Sequence, residues 1–173
     1  MMKKILLTLA ISAGVISSCF AQKSTPAKFS IGIEPGMPVG SARDVSTFTI
    51  GGSLKYDLPV ASKTWFTVAA GYTYFPYKND ITVANVGFIE TNSGEGFVPL
   101  KAGIKYFISS IFYAEGQVGA AISTSSGGGT RFAYAPGIGY QFDTRADLGI
   151  RYEGWSKNNT TISQVAMRLA YSF

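Results

Sequence analysis

Val165, Met167, Leu169, Tyr171 and Phe173 alternate with Ala166, Arg168, Ala170 and Ser172 up to the last residue. Successive side chains of a strand point to opposite faces, so this stretch reads as a strand with one oily and one polar face. The same period of two recurs seven more times. Lys28–Glu34 aligns Phe29, Ile31 and Ile33, and Thr47–Asp57 aligns Phe48, Ile50, Leu54 and Tyr56. Thr64–Tyr74 aligns Phe66, Val68, Ala70, Tyr72 and Tyr74, and Phe97–Tyr106 aligns Val98, Leu100, Ala102, Ile104 and Tyr106. Ile111–Ile122 carries Phe112, Ala114, Val118, Ala120 and Ile122; Arg131–Phe142 carries Phe132, Tyr134, Pro136, Ile138, Tyr140 and Phe142. Arg145–Gly154, with Ala146, Leu148, Ile150 and Tyr152, is the seventh. Most of these segments are near the length of about 9–11 residues at which a tilted strand crosses a hydrocarbon layer. Pro35 and Pro38 interrupt the far end of the first.

The connections alternate in length. Met37–Ser46, Phe75–Gly96, Ser123–Thr130 and Trp155–Thr161 are longer than Leu58–Lys63, Phe107–Ser110 and Asp143–Thr144. An up-and-down barrel with long outer loops, short periplasmic turns and both termini in the periplasm has this form. The longest connection has room for a short strand pair around Ile81–Phe88.

A soluble eight-stranded barrel would turn the oily face inward and cover its outside with charge. Here the polar face is built of small residues, among them Gly32, Gly51, Ala69, Gly71, Gly103, Gly119, Ala133, Gly137 and Gly139. Small side chains let a narrow barrel close when they point inward. Between them stand Glu34, Lys55, Lys101, Lys105, Glu115, Asp147, Arg151, Glu153 and Arg168. In a lumen too narrow to be a pore, these charges should pair across the interior, because an unpaired charge in a confined space is costly. Their expected role is to fill and solvate the inside, neither catalytic nor conducting. Aromatics gather at strand ends, where amphipathic rings meet a headgroup layer. Tyr56, Trp65, Phe66, Tyr106, Phe112, Tyr140, Phe142, Tyr171 and Phe173 form the expected periplasmic belt. Tyr72, Tyr74, Tyr77, Phe97, Phe132, Tyr134, Tyr152 and Trp155 form the outer one. Pro136, in mid-segment on the oily face, predicts a bulge or kink.

Met1–Ala21 reads as a secretory signal peptide, with Lys3 and Lys4 ahead of the short apolar run Ile5–Ile16. Cys19-Phe20-Ala21 supplies a cleavage site before Gln22, leaving a barrel domain over residues 22–173. Ile16-Ser17-Ser18-Cys19 also resembles a lipobox, which would make Cys19 a lipidated first residue. Simple cleavage is the preferred reading, since a barrel needs no lipid anchor. It removes the only cysteine, and with it thiol chemistry and disulfides. It also takes the charge from +5 to +3 as Lys3 and Lys4 leave, a value that implies no nucleic-acid partner. Charged residues make up 14%, against about 25% in soluble domains, too few to cover a water-facing exterior.

The chain has no histidine, so Ser-His-Asp, Cys-His and histidine-metal sites are unavailable. Asp147 and Glu153 share a strand face but lie about 20 Å apart along it, too far for a glycosidase pair. Gly127-Gly128-Gly129 lacks the lysine and helix start of a phosphate-cradling loop and reads as an outer loop. Glu90 and Glu95 near Asn92 read as a solvated loop before they read as a cation site. No enzyme, cofactor or metal is expected.

Several stretches resemble a known family: Gly51-Gly52-Ser53-Leu54-Lys55-Tyr56, Ala70-Gly71-Tyr72-Thr73-Tyr74 and Pro99-Leu100-Lys101-Ala102-Gly103-Ile104-Lys105-Tyr106. Ala135-Pro136-Gly137-Ile138-Gly139-Tyr140 and Leu148-Gly149-Ile150-Arg151-Tyr152-Glu153-Gly154 continue the likeness. Together they resemble the outer membrane protein β-barrel domain ("porin family") of OmpA/OmpX-like build. The terminal Leu169, Tyr171 and Phe173 resemble the signature by which the barrel assembly machinery recognises such chains. The resemblance implies an all-β, eight-stranded antiparallel up-and-down transmembrane barrel in a Gram-negative-type outer membrane, with lipids and lipopolysaccharide as neighbours. It also implies a structural or surface-interaction role, with a narrow porin-like passage for small solutes as the alternative. Eight strands leave room only for side chains, whereas aqueous porins have about 16–18.

Overall fold

The computed structural model describes residues 26–78, 94–143 and 145–173, and the backbone of 81–83 and 89–91. The leader and its Cys19 lie outside the described residues. The wall is built from β1 (Lys28–Ile33), β2 (Gly36–Val39), β3 (Ile50–Ala61), β4 (Thr64–Pro76), β7 (Gly94–Phe107), β8 (Phe112–Ser123), β9 (Thr130–Gln141), β10 (Ala146–Lys157) and β11 (Thr160–Ser172). Every neighbouring pair is antiparallel, and β11 returns to β1 and β2, so the sheet closes. Closure satisfies the backbone within the wall, the condition for a sheet that spans a membrane.

β1 and β2 are two halves of one wall strand. Ile33 pairs with Leu169 and Gly36 with Ala166, one uninterrupted register along β11. Across Pro35 the contact is kept by the Met167 N–H, which donates to the Pro35 carbonyl at 2.9 Å. Proline lacks a donor but keeps its acceptor, so the strand passes Pro35 and Pro38 and ends at Val39 instead of Glu34. The wall is therefore eight-stranded.

The outward positions are the oily ones. Ile31, Ile50, Leu54, Val68, Leu100, Val118, Phe132, Ile138, Ile150 and Leu169 are all exposed. Among the described wall residues, every Asp, Glu, Lys or Arg within a strand alternates onto the inner face. Tyr56, Tyr106, Phe112, Phe142, Tyr171 and Phe173 are outward at the end holding both termini, where Phe112 meets Tyr140 at 5.0 Å and Tyr171 meets Phe173 at 5.2 Å. Tyr72, Phe132 and Tyr152 are outward at the loop end.

Four belt residues are corrections, and one of them, Tyr77, lines a cavity inside the loop end. Trp65, Phe97 and Trp155 are buried on the inner face, because each falls out of phase with the oily residues of its own strand. Other expectations also change. The second strand begins at Ile50, because Ala42–Val45 forms a short helix, α1, that draws Thr47 and Phe48 out of the ladder. Pro136 makes no bulge: Gly116 stays opposite it, and only the ladder to β10 lapses there, while the register is unchanged on both sides. The register shift lies instead between Pro59 and Ala61, where β3 pairs with β4. The last loop-end connection is the two-residue turn Asn158-Asn159, as short as Ser62-Lys63 at the other end. Both asparagines have positive φ, 49° and 61°, the left-handed pair that a tight hairpin demands. The long connection holds a short pair, β5 (Ile81–Val83) with β6 (Ile89–Thr91), the second strand beginning just beyond Phe88.

Candidate functional site

Alternation along eight strands delivers charged side chains to one narrow interior, and the register decides which of them meet. At the terminal end Asp57 on β3 accepts from Lys105 at 2.7 Å and lies 3.8 Å from Lys55. Lys55 bridges to Glu115 at 3.2 Å. Glu115 also accepts from the Gln117 amide at 3.0 Å. Midway, Glu34 receives Arg151, the Ser53 hydroxyl and, at 3.4 Å, Arg168. Arg168 donates to Ser53 at 2.9 Å and Ser30 at 3.1 Å, and lies 3.9 Å from Asp147. Nearer the loop end Glu153 receives Lys101, Arg151 at 2.7 Å and Gln164 at 2.8 Å. Thr49 continues the chain, donating to the Gln164 carbonyl at 2.6 Å.

All nine charged residues singled out in the sequence point into this network. A tenth, Asp57, which the sequence pattern alone did not single out, shares the face of Lys55. With it the ion-pair network holds five acids (Glu34, Asp57, Glu115, Asp147, Glu153) and five bases (Lys55, Lys101, Lys105, Arg151, Arg168). That balance matters because each buried ion carries a desolvation cost of several kcal/mol, about offset only when partners and hydrogen bonds are complete. Tyr113 locks the terminal half: its ring lies 4.5 Å from the Lys105 ammonium, and its hydroxyl donates to Asp147 at 3.2 Å. Gly139 opposite makes room for that ring, since a Cβ there would stand 2.1 Å from Tyr113 Cζ.

Little space remains. A void of about 20 Å³ beside Gln117 and Arg168 could hold one water, and Gln117 Oε1 and Arg168 Nη1 are buried without a hydrogen-bond partner. Near the terminal end a second void of about 10 Å³ lies beside Asp57 and Trp65. Toward the loop end Phe75, Phe97 and Trp155 pack as an aromatic plug, with centroids 5.8, 5.5 and 4.8 Å apart. Ile162 packs against it. Above the plug the barrel opens into a mouth closed on one side by α1.

The polar groups outside the network have ordinary work. Glu95 accepts from the Ser123 hydroxyl at 2.9 Å; the side chains of Glu90 and Asn92 lie outside the described residues. Gly127 and Gly129 adopt positive φ, and Lys157 donates to the Gly128 carbonyl at 2.9 Å. In the terminal-end turn, Asp143 accepts the N–H groups of Arg145 at 2.5 Å and Ala146 at 2.9 Å. Those two bonds hold its carboxyl below the usual range.

A closed sheet with oil outside and paired charge inside is a membrane barrel, and the comparisons agree. The family model for the outer membrane protein beta-barrel domain matches residues 7–173, and the chain belongs to that family. Ail, the attachment invasion locus protein of Yersinia pestis, is similar in fold at 19% identity, covering 85% of this chain and 97% of its own, with a TM-score of 0.58. The N-terminal β-barrel domain of Pseudomonas aeruginosa OprF matches at 11% identity, covering 84% and 97%, also at 0.58. A de novo designed transmembrane β-barrel matches at 15% identity, covering 88% and 100%, at 0.54. No curated protein matches. The protein is thus an outer-membrane β-barrel of the Gram-negative type.

Proposed function

We propose that this protein is a non-conducting outer-membrane barrel that stabilises the membrane and presents its loop end to surface partners. The observation that carries the reading is the filled lumen. Ten interlocked charges and the Phe75–Phe97–Trp155 plug fill the lumen among the described residues, with voids of only about 20 and 10 Å³ beside the charges. A solute would have to break buried ion pairs to pass, at a cost of about 3–5 kcal/mol for each charge left alone.

In this reading Met1–Ala21 is removed on export, and both termini face the periplasm. The loop end then faces outward and carries the exposed Arg43 and Lys78. The outward stripe of Leu169, Tyr171 and Phe173 is what the assembly machinery engages, and lipids and lipopolysaccharide surround the wall. Ail, an attachment protein by name, is built on a similar fold, which supports a contact role for the loop end.

Planar-bilayer recording of the purified protein tests the proposal. The expected result is a silent membrane; reproducible single-channel steps would replace it with the narrow-passage reading. For orientation, Ser126→Cys should react with a membrane-impermeant maleimide on intact cells, whereas reaction only after lysis reverses the assignment.

A further inference from the structure

The mouth of the barrel is oily where water should be. Ala42 and Val45 on α1, Phe75, Phe97 and Ile162 line a cavity of about 330 Å³ above the aromatic plug. That volume lies within the range of about 300–1,000 Å³ typical of small-molecule sites. Val45 is exposed at the rim, although the loop end of a barrel normally presents polar groups to water. Ser41, Ser46, Tyr77 and Thr160 complete the lining, so the cavity sets an apolar patch, which hydrocarbon would cover favourably, beside polar groups.

One wall is cationic. Arg131, at the start of β9, lines the same cavity, and its Nε is buried without a hydrogen-bond partner. Among the described residues Arg131 has no ion pair, whereas Glu95, which lines the same cavity two strands away, is engaged by Ser123. A buried donor on a charged group lacks compensation until an acceptor reaches it, and a planar carboxylate can accept from a guanidinium in bidentate fashion. Beneath the floor lies Trp155, whose Nε1 is also buried without a partner.

We propose that this mouth cavity binds a small amphiphilic carboxylate. Its apolar body rests on Phe75, Phe97 and Ile162, and its anionic group pairs with Arg131. The ligand enters from the loop end and stops at the plug, so binding requires no passage through the lumen.

The two tryptophans make the test direct, since Trp155 underlies the cavity and Trp65 lies at the far end of the barrel. In lipid nanodiscs, Trp65→Phe leaves Trp155 as the sole emitter, and 4-(4-bromophenyl)butyrate serves as the probe because bromine quenches tryptophan at short range and Trp155 packs directly beneath Phe75 and Phe97 of the cavity wall. Expected is saturable quenching in Trp65→Phe and only linear, partition-type quenching in Trp155→Phe. Adding Arg131→Gln should raise the half-saturating concentration at least about tenfold, the loss of one charge-assisted pair. The corresponding neutral amide should bind the parent protein correspondingly weakly. Val45→Asp, on the exposed helix and away from the lumen, should weaken the acid more than the amide. Heat-dependent gel mobility confirms that each variant is folded. Equal quenching of both tryptophans, equal binding of acid and amide, or indifference to Arg131→Gln in a folded barrel would overturn the proposal.

Discussion

Removing Glu153 tests the lumen network at its most enclosed point. Its side chain is 0% exposed and accepts from Lys101, Arg151 and Gln164. Glu153→Leu keeps approximate volume but strands two cations unequally. Arg151 retains Glu34, whereas Lys101 has no other acid within ion-pair distance among the described residues. Leaving one buried charge alone costs about 3–5 kcal/mol, so the folding constant should fall about a thousandfold. Replacing the pair together, Lys101→Met with Glu153→Leu, removes the stranded ammonium and should recover most of that loss, since an apolar pair is often as stable as the ions it replaces. Urea-induced unfolding from lipid vesicles, followed by tryptophan emission and by heat-dependent gel mobility, measures both variants. If the single variant costs less than about 1 kcal/mol, or if the double is no better than the single, the charges are behaving like a solvated surface pair. The lumen would then be wet, and the reasoning that closes it would fail.

Other consequences can be checked with the same assays. Gly139→Val should drive Tyr113 from its place and destabilise the barrel by about 1–3 kcal/mol or more through overpacking, with partial recovery when Tyr113→Leu is added. Trp155→Ala opens the plug and should cost about 3–5 kcal/mol; a stability change within error would mean the plug is already loose. In the terminal-end turn, the depressed Asp143 carboxyl contributes stability that is present above the ordinary carboxyl range and lost as pH falls through its folded value. Carbon NMR should therefore find its midpoint below 3.8, and Asp143→Ala should abolish this acid-side dependence. At the other end Asn159→Gly should be nearly neutral, whereas Asn158→Val should cost about 1–2 kcal/mol by forcing a β-branched residue to positive φ.

Much of the site could be read from alternation alone. Lys55, Lys101 and Arg151 were readable as interior residues because each stands out of phase with Leu54, Leu100 and Ile150. The same rule, applied without exception, would have turned Trp65, Phe97 and Trp155 inward and added Asp57. Aromatic character at a strand end points outward and phase points inward, and phase prevails because a wall strand has only two faces. Asn158-Asn159 also carries a readable signal for a tight turn, since asparagine is among the residues that tolerate positive φ.

Sequence by itself determined the period of two, the eightfold recurrence, the oily exterior and the sign of each interior charge, because these depend only on which face a residue takes. Tertiary structure decided what a one-dimensional pattern does not hold. The stagger between strands brings Glu153 to Lys101 across the lumen, while Asp147 faces Tyr113 and Arg168. Closure of β11 onto β1 and β2 carries the first strand through Pro35, since a backbone acceptor on that proline has a partner only once the sheet has come round. The mouth cavity arises the same way, from residues of α1, β4, β7, β9 and β11 that meet only when the ring is shut.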